Sequence, residues 1–96
     1  MRFEWDPEKA RSNLAKHGLP FALAVATFDD PFQLVVLDDR PYGEERWHCI
    51  ASLPRGAIIS IIFTERSADD GDIIIRVISL RPATSNERVR YRAAAR

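Results

Sequence analysis

Two runs of β-branched residues constrain this chain more than any other feature. Ala57 to Thr64 and Asp72 to Arg81 carry apolar side chains on both of their alternating faces, the first run most clearly in its second half. A strand patterned in this way is covered from both sides, so the two runs predict neighbouring central strands with helices over at least one face. At 96 residues the chain has room for one such sheet, and we expect a single domain over 1–96. A domain this short buries a modest share of its surface, which makes a stabilising partner subunit a reasonable expectation.

The remaining pattern fills in around those strands. Phe3-Glu4-Trp5 alternates like a short strand, and Asp6-Pro7 reads as an N-cap followed by proline in the first helical turn. That helix runs through His17, with Ala10, Leu14 and His17 on one face and Gly18 closing it. Pro20 opens a second, shorter helix through Phe28, which Asp29-Asp30-Pro31 ends, and the two helices are expected to form a hairpin. Gln33 to Leu37 and Arg46 to Leu53 read as strands joined by a polar loop containing Pro41 and Gly43. Pro54-Arg55-Gly56 is the turn of an antiparallel hairpin into the first long run, and Ser67 to Gly71 is the loop between the two runs. Pro82 breaks the last strand, and Thr84-Ser85-Asn86-Glu87 has the spacing of a capping box that opens a terminal helix. The fold class this predicts is α+β: an N-terminal helical hairpin, a mainly antiparallel sheet of about four to five strands, and a basic C-terminal helix.

Charge is balanced overall, with 14 basic and 14 acidic residues, which argues against a general electrostatic nucleic-acid binder. Its distribution is uneven. Acids pair up at Asp29-Asp30, Asp38-Asp39, Glu44-Glu45 and Asp69-Asp70, whereas Arg76, Arg81, Arg88, Arg90, Arg92 and Arg96 make the last part basic, interrupted by Glu87 alone. A basic surface there suggests an anionic partner, although a solvated helix face explains the same charges. The single cysteine, Cys49, has no internal disulfide partner and no metal-ligand spacing around it, so it reads as a strand residue in a reducing cytoplasm. No apolar run reaches the roughly 18 residues of a membrane span, and the first residues lack the apolar core of a signal peptide. We expect a cytoplasmic protein without metal or cofactor.

Trp5-Asp6-Pro7-Glu8-Lys9, Asn13, Lys16-His17-Gly18, Phe21 and Phe28-Asp29-Asp30-Pro31 stand in an order and spacing similar to the opening of the BrnT toxin family. Gly43-Glu44-Glu45-Arg46-Trp47, Thr64-Glu65-Arg66, Arg76 to Arg81, Glu87-Arg88 and Tyr91 continue the resemblance, which covers Phe3 to about Tyr91. The resemblance implies a RelE-like fold and a ribonuclease activity that slows translation. It also implies a neutralising BrnA-like antitoxin with a ribbon-helix-helix part, through which alone the complex would bind operator DNA. The chain departs from the family at Leu80-Arg81-Pro82, where Ala-Arg and a further basic residue are more usual. That departure and the neutral charge motivate an alternative: a toxin-fold subunit without catalysis that acts by binding the antitoxin.

Cleaving RNA without a metal requires a base for the 2′-hydroxyl, cations for the phosphorane and an acid for the leaving 5′-oxygen. Arginine suits the phosphate because its planar fork holds two oxygens at once; Arg66, Arg81 and Arg88 are the candidates. Thr64 and Arg66 share a face, as do Ser79 and Arg81, but the two pairs stand at ends of consecutive strands that need not meet. Arg66 is equally well explained as a loop arginine paired with Asp69 or Asp70. Glu87 could act as a base, and the capping box explains its position as well. Tyr91 could stack on a base or supply a proton, or be the aromatic of a buried helix face. His17 titrates in the right range, and a helix end accounts for it equally. His48, mid-strand between Trp47 and Cys49, reads as structural or surface.

Overall fold

The computed structural model describes residues 1–38 and 43–95. Asp39 and Pro41 of the polar loop, and Arg96, lie outside the described residues. Five strands and three helices follow one another as β1 (Arg2–Glu4), α1 (Pro7–His17), α2 (Leu23–Thr27), β2 (Leu34–Asp38), β3 (Arg46–Ser52), β4 (Ile58–Ser67), β5 (Ile73–Pro82) and α3 (Ser85–Ala94). The strands form one mixed sheet in the order β1-β5-β4-β3-β2. β1 runs parallel to β5, and the other neighbours are antiparallel. The two apolar runs are β4 and β5, both interior, as their two-sided pattern requires. Among the described residues no helix is long and apolar enough to cross a membrane.

Local chemistry accounts for the element ends. Asp6 caps α1 by accepting from the Glu8 N–H at 2.9 Å, and Pro7 follows in the first turn. Gly18 closes α1 at φ 71°, donating to the Leu14 carbonyl at 2.8 Å, a conformation that penalises any residue with a Cβ. At α3 the expected capping box is complete: the Glu87 N–H donates to Thr84 Oγ1, and the Thr84 N–H donates to Glu87 Oε1. Pro82 does not break β5. It is the last strand residue, paired with Ile59, at a strand end where its missing N–H is tolerated.

One face of the sheet carries the core. Cys49, Ala51, Ile59, Ile61, Phe63, Ile75, Val77 and Leu80 pack against Phe21 and Ala24, with Phe3, Trp5, Ala10 and Phe28 alongside. Phe28 sits edge-on to both Phe3 and Phe63, with ring centroids 5.2 and 5.1 Å apart. Two helices do follow each other at the N terminus, but α2 is five residues long and α1 packs against β5. Leu14, expected on the buried stripe of α1, is 48% exposed; Asn13 is buried instead. The Asn13 amide donates to the Leu80 carbonyl at 2.7 Å and accepts from the Leu80 N–H at 3.2 Å. β1 pairs only with Ile74 to Arg76, so beyond its end the outer edge of β5 needs partners. Asn13 supplies both.

The pairing of β4 with β5 slips between Ile62 and Phe63: Ile62 faces Ser79 whereas Phe63 faces Val77. Ile78 is therefore an extra residue, a bulge that reverses the alternation of β5. Ile75 and Val77 face the core before it, and Leu80 faces the core after it. Without the bulge, Arg81 would share the buried face of Val77. With it, Arg81 emerges on the opposite face, beside the strand residues His48 and Ser60.

Candidate active site

On that second face, α3 lies over β3 and delivers Glu87 between two strands. Arg81 of β5 donates Nη1 to Glu87 Oε1 at 2.7 Å and Nη2 to Glu87 Oε2 at 3.1 Å, a two-point ion pair. His48 of β3 places Nε2 at 3.2 Å from Glu87 Oε2 and at 2.5 Å from Ser60 Oγ of β4. Glu87 thus joins the cap, the arginine and the histidine. Arg88 folds back over the start of α3, with Nη1 on the Ala83 carbonyl at 2.8 Å and Nη2 on Ser85 Oγ at 3.0 Å.

The electrostatics separate the roles. Hydrogen bonds from Arg81 overcome the opposing effect of burial and, with the Thr84 N–H, hold the Glu87 carboxyl down at about 2. The carboxylate is therefore ionised at neutral pH and weakly basic, and it anchors Arg81. Burial pushes the His48 pKa below its ordinary value, assisted by Arg81 and Arg90 and resisted by Glu87 and Asp38, so the imidazole is neutral at pH 7. The Arg81 side chain is 36% exposed, against 19% for His48 and 10% for Glu87. Its Nη1 also donates to the Pro82 carbonyl at 3.2 Å, which leaves Nε–H and one Nη2 hydrogen for a ligand.

Arg66 belongs elsewhere. It is a strand residue, paired with Ile74, whereas Arg81 pairs with Ser60. Six residues of β4 separate the two positions, about 20 Å. Arg66 does not pair with Asp69 or Asp70; it donates Nη1 to Glu4 Oε1 at 2.5 Å, and Arg76 reaches the same oxygen at 3.4 Å. Next to it, a groove of about 440 Å³ is lined by Arg2, Arg66, Ser67, Ala68, Asp69, Asp70 and Ile74. Arg2 is tied there to Asp70 and Asp72, and Asp72 also holds the N-terminal ammonium at 2.6 Å. The cations at this end, Arg2, Arg66, Arg76 and the N-terminal ammonium, are already paired with Glu4, Asp70 and Asp72, which leaves little net positive charge for a phosphate chain.

Tyr91 is 7% exposed and donates its hydroxyl to Asp30 Oδ2 at 2.5 Å. Burial and the Asp30 hydrogen bond and charge push its pKa up to about 12, so it stays protonated at neutral pH with its hydroxyl engaged by Asp30. Asp30 is a structural hub: burial opposes its charge, but the Ser52 N–H, the Tyr91 hydroxyl and the Phe32 N–H together lower its pKa. His17 ends α1, a helix that packs against β5. Of the six residues singled out in the sequence, Arg81 and Glu87 meet, while the Arg88 guanidinium is engaged by Ala83 and Ser85 at the start of α3. His48, read from the sequence as structural or surface, and Ser60, not singled out there, join this cluster because pairing β3 with β4 and docking α3 brings their partners to them. Among the described residues, no three His, Cys, Asp or Glu side chains converge as a metal site.

Comparison with known proteins gives this geometry a lineage. Residues 5–87 match the family model described as the ribonuclease toxin BrnT of type II toxin–antitoxin systems. The fold is similar to the crystal structure of the Brucella abortus ribonuclease toxin BrnT, with a TM-score of 0.62 and 26% sequence identity, covering 88% of this chain and 99% of that one. No protein of curated function matches the chain. The family match spans both the opening Trp5-Asp6-Pro7 segment and the Arg81–Glu87 pair, so the chain belongs to the BrnT family of type II toxin–antitoxin ribonuclease toxins.

Proposed function

We propose that the chain acts as one RelE-like domain, a metal-independent endoribonuclease that cleaves RNA in the cytoplasm and thereby inhibits translation. The observation that carries this reading is the half-exposed Arg81, held by Glu87 at the uncovered rim of α3 with two donors to spare. A guanidinium fixed from one side presents its free edge in a set direction, which is what gripping a scissile phosphate requires. Arg88 and Arg90 keep the surroundings positive.

A BrnA-like antitoxin with a ribbon-helix-helix part would neutralise the toxin by covering this rim. It would stabilise the toxin by mass action in a hetero-oligomer and would carry the complex to operator DNA. A second reading rests on the same ion pair: if Glu87 satisfies Arg81 fully, the chain is a toxin-fold subunit that binds antitoxin without catalysis. The purified chain incubated with end-labelled RNA in excess EDTA decides between them. Discrete cleavage products that disappear on adding antitoxin support the ribonuclease; intact RNA with a chain that still binds antitoxin supports the second reading.

A further inference from the structure

The site described so far has a cation for the phosphate and no assigned base. Glu87 is too acidic, Tyr91 is buried and engaged by Asp30, and arginine does not deprotonate in proteins. On this face, among the described residues around Arg81, His48 is the remaining side chain with a nitrogen that can take a proton, and burial keeps it neutral at pH 7. We propose that His48 is the general base of the ribonuclease, with Glu87 as its positioning residue; this rests on the ribonuclease reading above.

The geometry sets the tautomer. His48 Nε2 stands at 3.2 Å from Glu87 Oε2. The carboxylate charge beside Nε2 favours the neutral tautomer that carries its proton there and leaves Nδ1 bare. Ser60 Oγ, at 2.5 Å, is the hydrogen-bonded partner of that nitrogen, its hydroxyl turned to accept. The ring is thus held in one orientation from two strands and a helix. Among the described residues, the charged groups that act on it are Glu87 and Arg90 on α3, Arg81 on β5 and Asp38 on β2. Val36 of β2 pairs with it in register on the remaining side.

The step balances without a metal. Nδ1 of His48 takes the proton of the ribose 2′-hydroxyl while the 2′-oxygen forms a bond to phosphorus. The bond from phosphorus to the 5′-oxygen breaks. That oxygen takes a proton from a water molecule, and the imidazolium returns its proton to the hydroxide left behind. The products are a 2′,3′-cyclic phosphate and a free 5′-hydroxyl, and Arg81 offsets the charge that builds on the phosphorane.

The test is single-turnover cleavage of a labelled RNA from about pH 4.5 to 8.5 by the wild-type chain, H48Q and H48A, with the His48 titration followed by NMR. The wild-type rate should rise with pH and level off at the pKa that NMR gives for His48. H48Q should lose at least about 100-fold in rate together with that rising limb, and added imidazole should restore part of the rate of H48A. Cleavage by H48Q within a few-fold of wild type with the same pH limb overturns the role of His48 and leaves the ribonuclease standing. A kinetic pKa unrelated to the His48 titration in the wild type overturns it too, whether or not the variants fold. A wild-type chain that cleaves no RNA overturns the ribonuclease reading itself and this proposal with it.

Discussion

Replacing Glu87 by glutamine tests how much of this protein's stability passes through one carboxylate. The substitution keeps the shape and an oxygen acceptor for the Thr84 N–H, and removes the charge that Arg81 grips at 2.7 and 3.1 Å. Lowering the Glu87 pKa from the ordinary 4.5 to about 2 corresponds to roughly 3 kcal/mol of folding stability, at about 1.4 kcal/mol per pKa unit. Arg81 is 36% exposed, so solvent screening reduces the expected loss to about 2 kcal/mol at pH 7. The sign follows from the lowered value. The contribution is complete above the unfolded-state pKa and disappears as pH falls through the folded one, so the gap between wild type and E87Q should shrink to less than half by about pH 3. Urea unfolding of both proteins at a series of pH values reads this gap directly, and taking the difference cancels the other carboxylates that titrate in the same range. A gap that is the same at pH 7 and pH 3, or one below about 0.5 kcal/mol at pH 7, would refute the reasoning.

Two further outcomes concern the core side of the sheet. Asn13→Ala strips both hydrogen bonds from the Leu80 backbone and should cost about 1–3 kcal/mol in urea unfolding; a change within about 0.5 kcal/mol would mean that water replaces the amide. Cys49 is fully buried and its thiol is pushed up to about 12 by burial and by the Asp30 charge, so a thiol reagent at pH 8 should label it only as fast as the protein unfolds. Labelling of native protein at the rate of a free thiol would contradict that.

What the sequence discloses here is what local chemistry controls. Asp6, Gly18 and the Thr84–Glu87 box mark helix ends because caps act over three or four residues. The two-sided apolar runs place β4 and β5 in the interior because covering a strand is a property of its own pattern. Leu14 leaves its expected place on the buried stripe, and Asn13 is buried for a non-local reason: it gives the Leu80 backbone on the outer edge of β5 both a donor and an acceptor. The bulge at Ile78 is equally silent in the sequence, and it decides which face Arg81 takes. Arg66 and Arg81 looked equivalent as strand-end arginines near carboxylates. The distance between their register positions, and the acids that gather around Arg2 and Arg66, distinguish them only once the strands are paired. His48 has no recognisable neighbour in sequence, and its partners arrive from β4 and α3.

The central claim is that RNA meets the Arg81 end of the sheet and not the Arg66 end. Inducing the wild-type chain, R81A and R66A to equal levels in bacterial cells, and following growth beside bulk RNA integrity, tests it most directly. The account predicts arrest and RNA cleavage with the wild type and with R66A, and neither with a folded R81A. Arrest and cleavage that survive in R81A and vanish in R66A would contradict it.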